Sequence, residues 1–198
     1  YVGNGVSPQW PQMEPDRISR GYAVDIVRRP RSTGSILKPM LFAAMLEDGS
    51  LTPRMLLPDV PTHYDGYAPE NFDRQYRGAV PADEALARSL NVPAVRMLAN
   101  YGVARFADLL RDSGMSTLTR SADDYGLTLI LGGAEGTLWD ITSMYAGLTD
   151  IARAGLASPT AHFRALRVRA DDPHTARGHG IGTGSAWITL NTLLEVAR

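Results

Sequence analysis

The sequence contains no cysteine, a single lysine and no long apolar run. Without cysteine, a disulfide scaffold, thiol catalysis and thiolate metal sites are all excluded. No stretch reaches the roughly 18 apolar residues of a membrane-spanning helix. The formal net charge is −1 over 198 residues, with acids and bases interleaved, which excludes the basic field of a nucleic-acid-binding protein. The rest, 44% hydrophobic and 21% charged, is the composition of an ordinary globular protein.

The lone lysine is the most informative feature of the composition. All the other basic residues are arginine, which stays protonated, whereas the amine of a buried lysine can lose its proton. Lys38 follows Ser35 by three residues, where a helix is predicted to begin, so both side chains would lie on one helix face. A desolvated lysine there could activate the serine as a nucleophile, and the helix start would favour an oxyanion. The same residues also fit a serine N-cap followed by a surface lysine.

A second polar pair, Ser89 and Asn91, falls at a predicted helix break before Pro93. A hydroxyl and an amide one residue apart in a loop could relay a proton and hold a substrate amide. Serine and asparagine also occur at helix ends for capping reasons alone. Together with Ser35 and Lys38, the pair provides the first two parts of the serine acyltransferase signature S-x-x-K, S-x-N and K-T-G.

Hydrophobic periodicity and turn residues predict one domain with mixed secondary structure. The chain shows no internal repeat and no domain boundary. A long proline-containing loop is predicted over residues 51–81. Strands are predicted over 21–27 and 163–168, and helices over 35–48, 82–89, 92–101, 104–112, 137–154 and, with Ser185 as N-cap, 186–197.

Several segments, in the same order, resemble the transpeptidase domain of class A penicillin-binding proteins, especially the 1C subgroup. They cover most of the chain and include the block from Glu84 to Val95. The matching segments are residues 31–39, 57–61, 69–73, 76–78, 84–95, 125–133 and 145–146.

This resemblance implies an α+β fold of the penicillin-binding-protein and serine β-lactamase type, incomplete here, with a helical subdomain and part of an antiparallel sheet. It implies a D,D-transpeptidase that cross-links peptidoglycan through a serine acyl-enzyme. Ser35 would be the nucleophile, Lys38 its general base, Ser89 part of the proton relay and Asn91 the residue that orients the substrate. Peptidoglycan stem peptides would be the substrates and β-lactams covalent inhibitors. No cofactor, metal or nucleic acid is implied, and cell-wall synthesis proteins are candidate partners.

The third motif is the exception to the resemblance. Gly182-Thr183-Gly184 lacks the lysine of K-T-G and precedes a predicted helix. We therefore expect residues 1–198 to be a single partial transpeptidase domain, without the K-T-G strand region and without the upstream glycosyltransferase domain. We expect the isolated chain to be poorly active and the full-length protein, with a membrane anchor outside this chain, to act at the periplasmic face of the inner membrane. A serine β-lactamase-like hydrolase and a non-catalytic binding or scaffold module are the alternatives.

Overall fold

The computed structural model describes residues 25–64, 66–155, 163–164, 176–177 and 180–196. Within these residues the chain is predominantly helical, with three two-stranded antiparallel sheets. The helices are α1 (Lys38–Glu47), α2 (Ala82–Ala87), α3 (Asn91–Tyr101), α4 (Val103–Ser113), α5 (Ala122–Tyr125), α6 (Leu138–Ala154) and α7 (Thr183–Leu194), with a 3₁₀ helix over Gly126–Leu131. The strands are β1 (Arg31–Ser32), β2 (Leu56–Asp59), β3 (Gly78–Pro81), β4 (Glu135–Gly136), β5 (Phe163–Arg164) and β6 (Ala176–Arg177).

Helix α1 lies at the centre of the core. Its residues from Lys38 to Met45 are all buried, and it packs against α3 and α7. A helix that is apolar on every side is stable only when neighbours cover it on every side, which explains this position. The helix begins at Lys38, whereas the sequence predicted a start at Ser35. Pro39 lies in its first turn, where a missing N–H removes no helical hydrogen bond.

The segment over residues 51–81, predicted as an irregular loop, contains a short antiparallel ladder. Strands β2 and β3 pair from Leu56 opposite Pro81 to Asp59 opposite Gly78. The prediction missed them because both strands contain a proline and are only four residues long, so they have no clear alternation.

The structure confirms the helices predicted over 82–89, 92–101, 104–112 and 137–154, which correspond to α2, α3, α4 and α6. The last of these begins at a local cap, where the Thr137 hydroxyl accepts a hydrogen bond from the backbone of Asp140 at 3.0 Å. Helix α4 ends at Gly114, which adopts the left-handed conformation favoured by glycine.

The prediction that Ser185 caps the last helix is wrong. Helix α7 begins at Thr183 after Gly182, and Ser185 lies inside its first turn. A carboxylate from another helix caps it instead: Glu47 accepts hydrogen bonds from the Gly182 backbone at 2.8 Å and from the Ser185 hydroxyl at 2.7 Å. A negative charge at a helix N-terminus is favourable, so the end of α1 is tied to the start of α7.

Two strand predictions fall partly outside the described residues. The strand predicted over 21–27 is wrong where it can be compared, because residues 26–28 form a turn in which the Arg28 backbone donates to the Asp25 carbonyl. Residues 21–24 lie outside the described part. The strand predicted over 163–168 is confirmed at β5, and residues 165–168 lie outside the described part. None of the helices in the described ranges has the length and apolarity needed to cross a bilayer.

Candidate active site

Ser35 lies in a tight turn between β1 and α1, here called the Ser35 turn (residues 33–37). Its side chain is exposed. The backbone N–H of Ile36 donates to the Thr33 carbonyl at 3.2 Å, and that of Lys38 donates to the Ser35 carbonyl at 3.1 Å. The turn therefore presents the Ser35 hydroxyl at the surface, just before the first residue of α1.

The segment after the 3₁₀ helix holds the N-terminal side of this turn. Strand β1 pairs with β4, and the Ser32 hydroxyl donates to the Gly132 carbonyl at 2.9 Å. The Thr33 backbone donates to the Ala134 carbonyl at 3.1 Å. Gly132 has φ +104°, and a Cβ there would lie 2.6 Å from Ser32 Oγ and 2.8 Å from the Gly34 nitrogen. Only glycine allows this close approach.

Helix α6 holds the other side of the Ser35 turn. The Tyr145 hydroxyl donates to the Ile36 carbonyl at 2.7 Å. Burial raises the pKa of Tyr145, so the phenol stays a hydrogen-bond donor throughout the physiological range. The Ser35 turn is thus fixed on one side by α6 and on the other by the segment between the 3₁₀ helix and α6.

Lys38 lies on the inner side of the Ser35 turn, with 2% of its surface exposed. Its Nζ donates to the Ser89 carbonyl at 2.7 Å, to Asn91 Oδ1 at 2.7 Å and to Ser89 Oγ at 3.3 Å. Burial disfavours the charged amine and lowers the pKa of Lys38 to about 8. With this pKa, about a tenth of the amine is neutral at pH 7.

Ser89 reaches Lys38 because it adopts a left-handed backbone conformation, with φ +54°. The backbone N–H of Ser89 donates to the Leu86 carbonyl and that of Leu90 to the Ala85 carbonyl, which is the Schellman pattern at the end of a helix. Glycine usually takes this position. Here a serine takes it, so that both its carbonyl and its hydroxyl point at the amine.

Asn91 is the first residue of α3, and contacts with Glu70 and Asn71 fix its position. Its Nδ2 donates to the Glu70 carbonyl at 2.9 Å, which leaves Oδ1 facing the Lys38 amine. The preceding residue, Leu90, has no side-chain oxygen to cap the helix. Asn71 Oδ1 caps it instead, accepting from the backbone of Asn91 at 2.9 Å and of Val92 at 3.2 Å.

Asn71 is itself held by a buried carboxylate. Its Nδ2 donates to Asp59 Oδ1 at 2.7 Å and to the Gln75 carbonyl at 2.8 Å. Asp59 is fully buried, and its other oxygen accepts from the Arg77 backbone at 3.0 Å. The sequence analysis did not single out Asn71 or Asp59 as site residues. The sequence offered only an indirect signal. Helix α3 follows Leu90, which has no side-chain oxygen, so a residue from another part of the chain must cap it.

The structure brings Lys38, Ser89 and Asn91 into direct contact. The sequence analysis placed Ser35 and Lys38 on one helix face, close enough to share a hydrogen bond. In the structure Ser35 precedes the helix, and the three hydrogen bonds of the Lys38 amine go to Ser89 and Asn91.

A cavity of about 1080 Å³ opens beside Ser89. Its lining includes Asn71 and Phe72, whose ring is fully exposed. Charged side chains of both signs also line it, among them the acidic residues Asp83, Glu84 and Glu195 and the basic residues Arg54, Arg77 and Arg88. The described residues contain no group of three histidine or acidic side chains placed to hold a metal ion.

Comparison with known proteins identifies the family. The sequence profile of the penicillin binding protein transpeptidase domain matches residues 9–133. Penicillin-binding protein 1C of Escherichia coli is 39% identical over 180 residues, which are 91% of this chain and 22% of that protein. Penicillin-binding protein 1F of Bacillus subtilis is 35% identical over 122 residues, which are 61% of this chain and 16% of that protein. The chain therefore spans about a fifth of the length of these relatives.

Two solved structures of penicillin-binding proteins also superpose on this chain. Penicillin-binding protein 1A of Haemophilus influenzae superposes with a TM-score of 0.55 at 28% identity, covering 64% of this chain and 19% of that one. The penicillin-binding protein PonA1 of Mycobacterium tuberculosis gives 0.66 at 20% identity, covering 85% of this chain and 48% of that one, a likeness of fold. The partial α+β transpeptidase fold predicted from the sequence is confirmed. The chain belongs to the penicillin-binding protein transpeptidase family, as a transpeptidase domain of the class A type.

Proposed function

We propose that the full-length protein is a peptidoglycan D,D-transpeptidase that works through an acyl-enzyme on Ser35. The observation that carries this proposal is the state of Lys38, a buried amine in contact with Ser89 and Asn91, next to an exposed serine on a fixed turn. A solvated surface lysine would have neither the burial nor the lowered pKa.

The number of hydrogen bonds at the amine supports its role as a base. A neutral amine has two N–H donors and one lone pair, and the two acceptors at 2.7 Å are the Ser89 carbonyl and Asn91 Oδ1. The third contact, at 3.3 Å, is to the Ser89 hydroxyl, which can itself donate to the lone pair. The neutral form of Lys38 therefore leaves none of these partners unsatisfied.

These positions support the following reaction. Ser35 Oγ attacks the carbonyl carbon of the penultimate D-alanine of a stem peptide, and its proton passes to the neutral Lys38 amine. The oxyanion collapses, the peptide C–N bond breaks, and the proton reaches the departing D-alanine nitrogen through Ser89. The amine of a neighbouring stem peptide then attacks the ester, forms the cross-link and returns the Ser35 hydroxyl. The second N–H of the Asn91 amide, beyond the one given to Glu70, would orient a substrate carbonyl.

The experiment is intact-mass analysis of the full-length protein after incubation with a labelled penicillin. We expect a stable adduct of one penicillin, lost in Ser35→Ala and retained in Ser50→Ala, an exposed serine at the far end of α1. A rapidly lost adduct would favour the β-lactamase-like hydrolase, and the absence of any adduct would favour a binding or scaffold module. An adduct that persists in Ser35→Ala would overturn the assignment of the nucleophile.

The remaining roles follow from the same activity. A transpeptidase of this kind would act on stem peptides at the periplasmic face of the inner membrane, together with other cell-wall synthesis proteins. Residues 1–198 would form one part of its transpeptidase domain. β-Lactams would inhibit it by acylating Ser35, because they resemble the acyl-D-alanyl-D-alanine end of the substrate.

A further inference from the structure

Asn71 does not touch Ser35 or Lys38, yet all four hydrogen-bonding positions of its side-chain amide are used. Its oxygen accepts from the backbone of Asn91 and Val92, and its nitrogen donates to Asp59 and to the Gln75 carbonyl. With 3% of its surface exposed, it is a buried polar group with no unsatisfied atom. Such groups fix geometry, because displacing any partner leaves another unsatisfied.

The contacts form a continuous chain from Asp59 to the reacting amine. Asp59 orients the Asn71 amide, and Asn71 sets the position of the first turn of α3. That turn carries the Asn91 side chain, whose Oδ1 contacts Lys38 Nζ at 2.7 Å. The neighbouring Glu70 carbonyl fixes the rotation of the Asn91 amide at 2.9 Å. One short segment therefore fixes both the backbone and the side chain of Asn91.

We propose that Asn71 and Asp59 form a positioning pair, here called the 59–71 pair, which holds Asn91 and through it Lys38 in the arrangement required for acylation. The proposal rests on the function proposed above. Neither residue touches the reacting atoms. Their effect is on the distance and direction of the Lys38 amine relative to the Ser35 turn, and a displacement of about 1 Å at such a site costs about 100-fold in rate.

The arrangement of donor and acceptor allows a reciprocal exchange. Asn71→Asp would place two carboxylate oxygens 2.7 Å apart, where at least one must be protonated or the two must separate. Asp59→Asn/Asn71→Asp restores one donor and one acceptor between positions 59 and 71 and keeps the net charge. The Gln75 carbonyl then faces a carboxylate oxygen in place of its N–H donor, so only part of the loss should be recovered. An asparagine at position 59 can still accept a hydrogen bond from the Arg77 backbone through its side-chain carbonyl oxygen.

The test measures acylation of the full-length protein by a fluorescent penicillin in stopped flow. The dependence of the rate on penicillin concentration separates k2, the rate constant of acylation, from the dissociation constant of the noncovalent complex that precedes it. The amplitude at the end of the reaction gives the fraction of protein that is folded. We expect Asn71→Asp to lower k2 by about 100-fold with little change in the dissociation constant. The exchanged double variant should recover at least tenfold of that loss. A role in stability alone would lower the amplitude and leave k2 unchanged.

Two further variants keep the result decisive. Asn71→Ser, shorter and uncharged, tests the same contacts should Asn71→Asp fail to fold, and its k2 should fall at least tenfold. Glu47→Ala removes two hydrogen bonds at the opposite end of α1 and should lower thermal stability without changing k2. Unchanged k2 in the Asn71 variants, or a double variant no faster than Asn71→Asp, would overturn the positioning pair. A wild-type protein that forms no adduct on Ser35 would instead overturn the proposed function.

Discussion

Replacing Ser89 by glycine should make the protein more stable and less active. Ser89 has φ +54°, in the left-handed region, at the position after α2 where helices favour glycine. A residue with a Cβ costs about 1–2 kcal/mol in that conformation. The serine therefore carries backbone strain, and its side chain contacts the buried amine.

The expected gain in stability is small because glycine also loses more freedom on folding. That loss offsets about 0.5–1 kcal/mol of the relief. The hydroxyl contact removed is 3.3 Å long, beyond the usual range for N–H···O bonds, and the 2.7 Å bond from the Lys38 amine to the Ser89 carbonyl is retained. A net stabilisation of about 0.5–1 kcal/mol should raise the unfolding temperature by about 2 °C.

Acylation should change in the opposite direction. Loss of the Ser89 hydroxyl, the proposed proton relay, should lower k2 for penicillin by about 100-fold, the usual scale for a proton-transfer group. Thermal unfolding by calorimetry and stopped-flow acylation measure the two effects on the same variant.

Arg74→Gly is the matched control. Arg74 has φ +57°, and its ion pair with Glu70 at 3.9 Å is exposed and contributes little. The Arg74→Gly variant should gain stability as Ser89→Gly does, and its k2 should stay unchanged. A fall in the unfolding temperature of Ser89→Gly beside a rise in Arg74→Gly would refute the strain argument. A k2 within twofold of the wild type would refute the relay role.

Four further predictions concern the amine and the Ser35 turn. Because the folded pKa of Lys38 is about 8 against 10.5 unfolded, k2 should rise about tenfold from pH 7 to 9 and then level off, and a continued rise to pH 10.5 would contradict a lowered pKa. The same shift destabilises the fold below pH 8, so stability relative to Lys38→Met should increase by about 3 kcal/mol between pH 8 and 10.5, measured by urea unfolding. Tyr145→Phe should cost about 1 kcal/mol and slow acylation severalfold, whereas Thr149→Val, which loses only a bond within α6, should leave k2 unchanged. Gly132→Ala should lower the unfolding temperature more than Gly49→Ala, since both have positive φ but only Gly132 is crowded; equal losses would exclude the close approach.

The sequence was sufficient to predict a helix over residues 35–48 and to single out the one lysine within it. The apolar residues of this segment recur at helical spacing, and in the structure every residue from Lys38 to Met45 is buried. Local signals correctly predicted the helices over 82–89, 92–101, 104–112 and 137–154, since proline, glycine and capping residues act over a few positions. The roles given to Ser35, Lys38, Ser89 and Asn91 stay predictions until acylation is measured.

What the sequence did not reveal depends on contacts between distant residues. Asn71 caps a helix that begins 20 residues later, and Glu47 caps one that begins more than 130 residues later. No local pattern distinguishes such residues from ordinary surface polar groups. The left-handed conformation of Ser89 was also unpredicted, because serine after a helix normally indicates a turn of no particular strain.

The solitary, buried position of Lys38 gives the chain a built-in probe of its own local opening. An amine-reactive reagent has one side-chain target here, and that target is 2% exposed in the folded state. Modification of Nζ therefore requires the junction of α1, α2 and α3 to separate, and its rate reports how often that happens. Mass spectrometry can follow the rate at which the Lys38 amine is modified. Comparison of that rate with the rate of global unfolding would show whether the junction opens on its own or only with the whole domain.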